Sequence, residues 1–167
     1  MKNIEITFKN EEIRVNKVIY DFSKSIFLEI PENYKFKIEK VTWNYLDKKV
    51  EINSSKNDMR IKYACPSRDN TKMLIIFNDE TDNVKSSLII FDGEGKVSEN
   101  IKFPNLISSV SKSLTIHRNV EFKYVYWNNI KEREVFVDIG FNEDFYEIRL
   151  FDVETLEFKE CIGSGRM

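Results

Sequence analysis

Alanine and glutamine are almost absent from this chain. Ala64 is the single alanine and there is no glutamine, whereas 13 phenylalanines and 7 tyrosines are spread along the 167 residues. Alanine and glutamine are good helix formers, and aromatic and β-branched residues suit strands. The composition therefore predicts a mostly β protein.

Residues that carry catalysis or bind metals are equally scarce. His117 is the single histidine, so a Ser-His-Asp or Cys-His arrangement would have to include it, and no Gly-x-Ser-x-Gly segment presents a nucleophile. Cys65 and Cys161 are too few and too far apart in sequence for a zinc site. The loop 78–83 resembles a calcium loop but has Asn83 where the glycine belongs. We predict no enzyme activity, no metal site and no cofactor.

Long apolar runs are also missing. The longest, 73–77 and 88–91, are far shorter than the ~20 residues that cross a bilayer, and residues 1–6 show no apolar core of a signal peptide. A net charge of −2 and the lack of a lysine- or arginine-rich run argue against direct binding to nucleic acid. We expect a cytoplasmic protein with two free thiols and no direct contact with membranes or nucleic acid.

Alternation of apolar and polar residues is the dominant local pattern. It predicts a hairpin from 4–8 and 13–20, a short strand at 26–30, and a strand over 35–45. The phase of this last strand slips at Lys40, as a β-bulge would allow. Eight further strands are predicted, at 59–65, 72–78, 86–92, 96–103, 120–127, 134–139, 145–152 and 156–161.

One segment departs from this alternation. Leu106, Ile107, Val110 and Leu114 follow helical spacing, and Pro104-Asn105 precede them as a candidate cap. The sequence predicts one short helix here, weakened by four serines and by the lack of alanine.

The second half of the chain carries a candidate repeat. The pair Phe91-Asp92 recurs as Phe151-Asp152, 60 positions later, within two units at 59–104 and 120–162. Each unit has the pattern of a propeller blade, although any antiparallel meander yields similar fragments by chance. A repeat of 60 residues leaves room for about three blades in this chain, too few for a closed ring. We predict one domain, 1–167, of antiparallel meander sheets, either propeller-like blades not closed into a ring or a β-sandwich.

Two acidic hairpin loops are the candidate partner-binding residues. Asp79, Glu80 and Asp82 lie in one loop, and Glu143 and Asp144 lie in the other, at equivalent places of the candidate repeat. Carboxylates on rigid hairpins would attract a basic protein, although acidic hairpin tips are also an ordinary solvated feature.

Large aromatic residues supply a second set of candidates. Most of them should lie in the core, and any that is left exposed would be a candidate anchor for a protein interface. The set consists of Trp43, Tyr45, Tyr124, Tyr126 and Trp127.

A short, acidic β chain with blade-like segments such as Leu88–Val97 resembles the immunity proteins of bacterial contact-dependent growth inhibition systems. The resemblance concerns the general character of the whole chain and includes no shared motif. No functional residue of the family is therefore assigned to a position in this sequence. It implies a cytoplasmic protein that binds one cognate toxin, expected to be a basic nuclease domain, and occludes its active site or its access to substrate. A non-enzymatic β-repeat scaffold that binds other proteins is the alternative.

Overall fold

Three four-stranded antiparallel sheets make up the described part of the chain. The computed structural model describes residues 1–9, 14–19, 37–54, 59–79, 86–127 and 133–167. Within these ranges, no sheet closes into a barrel. The mostly-β prediction is confirmed.

The sheets follow one another along the sequence. Sheet A has the order β2-β1-β3-β4, with β1 at Lys2–Lys9, β2 at Arg14–Ile19, β3 at Lys37–Tyr45 and β4 at Lys48–Asn53. Sheet B has the order β5-β6-β7-β8, with β5 at Met59–Pro66, β6 at Lys72–Asp79, β7 at Ser86–Asp92 and β8 at Val97–Ile101. Sheet C has the order β12-β11-β10-β9, with β9 at Glu121–Trp127, β10 at Glu134–Phe141, β11 at Phe145–Asp152 and β12 at Glu157–Arg166.

Most of the individual strand predictions are confirmed. Strands β1 and β2 pair as the predicted hairpin, and all eight strands predicted from residue 59 onward are present. The bulge predicted at Lys40 is present, because Thr7 pairs with Lys40 whereas Phe8 pairs with Ile38. The predicted strand at 26–30 lies outside the described residues.

Sheet B lies between the other two sheets, and its inner strand β6 is buried on both faces. Every residue of the run Met73–Phe77 in β6 is buried, with at most 6% of its surface exposed. Met73, Ile75 and Phe77 pack in one hydrophobic cluster with sheet A, whereas Leu74 and Ile76 pack in a second cluster with sheet C. A strand covered on both faces needs apolar residues at successive positions, and this run supplies them.

The connection between sheets B and C contains a single helical turn, α1 at Ser109–Lys112. Its N-cap is Ser108, so the prediction of a short helix is confirmed but the prediction of Pro104-Asn105 as its cap is wrong. The Glu147 carboxylate accepts hydrogen bonds from the backbone N–H groups of Ile107 (3.1 Å) and Ser108 (3.0 Å). Both backbone N–H groups belong to residues that precede the helical turn. Their bonds to Glu147 therefore fix the non-helical path of the chain up to Ser108.

The turn between β7 and β8 packs against sheet A and so holds sheets A and B together. The buried Trp43 indole donates from Nε1 to the carbonyl oxygen of Gly93 at 2.7 Å. Gly95 has a φ of +81°, and a Cβ at this position would clash with Cγ1 of Val50. A Cβ on Gly93 would clash with the Tyr45 ring. The turn therefore needs glycine for backbone conformation and for close approach.

We expect Gly95→Ala to lower the free energy of unfolding by about 2 kcal/mol, because it adds both a strained φ and a clash. The control is Gly163→Ala, whose new Cβ would lie 3.4 Å from Ile148, an ordinary contact. Urea unfolding of both variants measures the difference. Equal stability of the two variants would contradict the role assigned to Gly95.

Candidate functional site

The acidic turn between β10 and β11, residues 142–144, is exposed. Asn142 and Glu143 have positive φ values of 49° and 67°. The Asp144 carboxylate lies 3.0 Å from Nη2 of Arg166, and Glu143 accepts a hydrogen bond of 3.2 Å from Asn119. Ion pairs this exposed contribute ~0–1 kcal/mol, so both carboxylates remain available to a partner.

The other acidic candidates lie at the connection between β6 and β7. Asp79 is the last residue of β6, and Glu80 and Asp82 lie outside the described residues. Ser86, the first residue of β7, accepts a 2.6 Å hydrogen bond through Oγ from the Phe122 backbone N–H. This bond ties the beginning of β7 to sheet C.

The outward faces of the two outer sheets differ in chemistry. On sheet A the outward face is polar and charged, with Lys2, Glu5, Thr42, Asn44, Lys49 and Glu51. On the middle of sheet C the strand register places aromatic and apolar residues around one acid, and the other acids of this face lie towards its two ends. We call this set the aromatic face, and its members are Tyr124, Tyr126, Phe136, Asp138, Tyr146 and Ile148.

Some rings of the aromatic face contact other aromatic rings. The Tyr124 side chain is 50% exposed, and its ring stands edge-on to Tyr63 with the centroids 5.7 Å apart. The rings of Tyr126 and Phe136 lie 5.3 Å apart. Burial raises the pKa of Tyr63 to about 12, so its hydroxyl stays protonated at neutral pH.

On the β12 side, the neighbours of the aromatic face are glycines, which have no side chains to cover it. Gly163 pairs with Ile148 and Gly165 pairs with Tyr146. A Cβ at Gly165 would approach the Tyr146 ring to 3.2 Å, which is tight. The Tyr146 ring therefore lies against bare backbone, and its other side faces outward.

Asp138 is the acid of the aromatic face, and its Oδ1 atom is buried without a hydrogen-bond partner among the described residues. Burial and, to a smaller extent, Glu121 raise the pKa of Asp138 to about 6, against an opposing effect of Lys123 and Lys62. A buried polar atom without a partner costs free energy in the folded protein.

Cations near Asp138 are already engaged by another acid. Lys62 lies 3.0 Å and Lys123 lies 2.6 Å from the Glu121 carboxylate. These two ion pairs lower the pKa of Glu121, although burial opposes them. Asp138 is thus close to positive charge but bonded to none of it.

The acids at the far end of β10 and β11 are also paired. Lys159 lies 2.9 Å from Glu134 and 2.8 Å from Asp152, which pair with each other in the strand register. The hydrogen bond from Lys159 lowers the pKa of Asp152, although burial opposes it. Glu121, Glu134 and Asp152 each form an ion pair with a lysine, whereas Asp138 forms none with the described residues.

A second buried charge cluster serves the fold. Glu147 and Arg149 are both buried, and their side chains lie 3.2 Å apart. Arg149 donates to the carbonyl oxygens of Lys159 (2.8 and 2.6 Å) and Asn105 (2.9 Å). These bonds, together with those from Ile107 and Ser108 to Glu147, end on sheet C or on the connection that precedes α1, so the pair fastens that connection to the sheet.

His117 and the cysteines have structural environments. The Nε2 atom of His117 lies 2.8 Å from the Ser111 carbonyl oxygen, which fixes it as the donor, and its ring stands edge-on to Phe141. Cys65 is buried, Cys161 is partly buried, and both are free thiols, as predicted. Burial raises the pKa of Cys65 strongly, which keeps the thiol protonated.

The described residues contain neither a metal-binding cluster nor a membrane-spanning helix. No group of three or more His, Cys, Asp or Glu side chains lies close enough together to hold a metal ion. No described helix is long and apolar enough to cross a membrane.

Sequence reasoning identified part of the aromatic face. Tyr124 and Tyr126 were among the aromatic candidates, whereas Trp43 is fully buried and Trp127 is partly buried, with its Nε1 donating to Pro66 at 2.5 Å. Asp138 was missed. The signal was present, because an acid in the middle of the alternating segment 134–141 must share a face with Phe136.

We expect Asp138→Asn to stabilise the fold at pH 7.5 by roughly 1 kcal/mol, a value reduced for the partial exposure of the carboxyl. The raised pKa means that ionisation costs the folded state stability, and this cost appears as pH rises from about 4 through about 6. The charged and titratable neighbours are Lys62, Glu121, Lys123 and the phenols Tyr126 and Tyr146.

Urea unfolding at pH 4 and pH 7.5 measures this effect, with Glu5→Gln on the outward face of sheet A as the matched control. The advantage of Asp138→Asn should vanish at pH 4, where both side chains are neutral. A variant less stable than the wild type at pH 7.5 would show that Asp138 has a stabilising partner.

Comparison with known proteins gives a structural likeness. No protein-family model matches the chain, and no curated protein matches it. Three solved chains match, and one of them aligns with a TM-score of 0.62 and 10% identity over 99% of this chain and 98% of its own length. It is the Tni2 chain in a structure of Tne2 in complex with Tni2. At this identity, the likeness shows that the two chains share a fold.

Proposed function

We propose that this protein is an immunity protein, which binds a cognate toxin and neutralises it by occluding the toxin's active site or its access to substrate. The observation that carries the proposal is the shared fold with Tni2 over nearly the full length of both chains, since Tni2 is found in a complex with another protein. The resemblance of the sequence to immunity proteins supports the same function independently.

Occlusion requires a rigid surface and no chemistry from this chain. The described residues offer such a surface on sheet C, where strand pairing fixes the positions of the side chains. The side chain of His117 is engaged by Ser111 and Phe141, which suits a structural residue. The proposed inhibitor is therefore not an enzyme and needs no cofactor.

Two refinements come from the sequence resemblance alone. These are the delivery of the toxin by a contact-dependent growth inhibition system and its identity as a basic nuclease. The likeness to Tni2 supports a protein partner without favouring either refinement. We propose a cytoplasmic site of action, because a toxin delivered into a cell is neutralised there.

The test uses the protein encoded by the gene next to this one as the candidate toxin. Cells that express the candidate toxin should survive when this protein is co-expressed, and the two purified proteins should form a stable complex. Nucleic acid integrity and the pools of free nucleotides are both followed in the cells, because occlusion protects whichever substrate the toxin consumes. Survival without complex formation would contradict the proposal.

We expect His117→Ala to protect cells as well as the wild type, because occlusion needs no general base. Protection is measured as colony count under toxin expression, and circular dichroism confirms the fold of the variant. If a folded His117→Ala protein fails to protect, catalysis by this chain becomes the better explanation.

The acidic candidates are expected to act on the rate of association. Reversal of Asp79, Glu80, Asp82, Glu143 and Asp144 to lysine should slow capture of a basic toxin at least about tenfold at low salt, because rim charges steer the encounter. Stopped-flow association against salt concentration measures the effect.

A smaller matched pair controls for net charge. Reversal of Glu143 and Asp144 is compared with reversal of Glu5 and Glu51, which lie exposed on sheet A. Both variants change the net charge equally, so a larger effect at 143 and 144 locates the steering at the acidic turn. Equal rates for the two variants would place the steering elsewhere.

A further inference from the structure

Asp138 and the rings around it combine features that rarely occur together on a solvated sheet face. Solvated faces usually carry lysine, glutamate and short polar residues, as the outward face of sheet A does. Protein interfaces are instead enriched in tyrosine and phenylalanine and depleted in lysine and glutamate at their centres. The middle of the outward face of sheet C has the composition of an interface centre, whereas the ion pairs Lys123–Glu121 and Lys159–Glu134 lie towards its two ends.

The acid at the centre of this face determines which partner group would fit. Oδ1 of Asp138 is buried and has no hydrogen-bond partner among the described residues, while Lys62 and Lys123 are engaged by Glu121. The Asp138 residue as a whole is only partly buried, so a rotation of its carboxylate would bring Oδ1 to the surface. A cationic donor from outside would then gain a charge-assisted hydrogen bond that the described residues do not supply.

Tyrosine rings on either side of Asp138 favour one cation over the other. Burial raises the pKa of Tyr126, and the charges of Asp138 and Tyr146 raise it further. Both groups therefore lie close to the Tyr126 hydroxyl. A guanidinium group stacks on aromatic rings and pairs with a carboxylate through its fixed fork, whereas an ammonium group does neither as well. An arginine side chain matches this arrangement better than lysine.

We propose that the aromatic face is the surface that binds the toxin, with an arginine of the toxin directed between Tyr126 and Tyr146 onto Asp138. This inference rests on the proposed function and adds the binding surface and the chemistry of its central contact. The acidic turn 142–144 begins four residues beyond Asp138, ~13 Å along β10. It therefore borders the face as a rim, where exposed carboxylates would attract the same basic partner.

The first test compares Asp138→Asn with the control Glu5→Gln for binding to the candidate toxin encoded by the neighbouring gene. Asp138→Asn keeps the shape of the side chain and should raise the Kd by roughly 10- to 100-fold, mainly through faster dissociation. Glu5→Gln removes the same charge from the opposite sheet and should leave the Kd within about twofold. Since Asp138→Asn is expected to be the more stable protein, weaker binding by it is not a sign of unfolding.

A second variant tests the ring contacts. Tyr124→Ser removes a half-exposed side chain without opening the core and should also raise the Kd, by roughly tenfold. An unchanged Kd for both Asp138→Asn and Tyr124→Ser, with the wild type bound, would overturn the inference and leave the proposed function intact.

The arginine contact is tested without the toxin. N-acetyl-arginine amide is titrated into the isotope-labelled protein and followed by NMR. Shifts should concentrate at residues 124, 126, 138 and 146, should be larger than those caused by N-acetyl-lysine amide, and should disappear in Asp138→Asn.

The two experiments separate the two proposals. If the candidate toxin does not bind the wild type, the proposed function fails, and the titration alone then decides whether the face recognises a guanidinium group. Shifts that are equal for the two amides, or that persist in Asp138→Asn, would overturn the arginine contact.

Discussion

Burial of β6, an inner strand of sheet B, on both faces is the constraint from which the rest of the structure follows. This strand contains five consecutive apolar residues, Met73–Phe77, which are all buried. One side of β6 packs on sheet A and the other on sheet C, so each outer sheet has one inward face. Among the described residues, no further sheet covers the opposite face of sheet A or of sheet C, and the side chains on these two faces determine how the protein meets other molecules.

The outward faces of sheets A and C differ in the chemistry of their side chains. Sheet A covers its face with charged residues, including the Lys40–Glu51 ion pair at 2.9 Å. Sheet C carries aromatic rings on the middle of this face, and Oδ1 of Asp138 has no hydrogen-bond partner among the described residues although cations lie near it. Such an arrangement lowers the stability of the isolated protein and is retained most readily where a partner completes it, since binding sites often conflict with stability.

Much of the fold was predictable because it follows from local patterns. Alternation located β5 to β12, and a slip of phase located the bulge at Lys40, since both depend on side chains along one strand. Strand β4 was not predicted, and β12 extends beyond its predicted end through Gly163 and Gly165. Glycine has a low strand propensity, but here its lack of a side chain lets Tyr146 and Ile148 pack on the backbone, a contact set by tertiary structure.

The candidate site was less predictable for the same reason. Acidic loops attract attention in a sequence because hairpin tips are exposed in any β fold, whereas the meaning of Asp138 depends on which neighbours share its face. The structure relates the two features through β10, which carries Asp138 in its middle and leads into the acidic turn at its end. A strand paired on both sides holds its side chains more firmly than a loop does, so the specific contact belongs on β10 and the long-range attraction belongs on the turn. An inhibitor built in this way would capture a basic partner quickly at its rim and release it slowly from its centre.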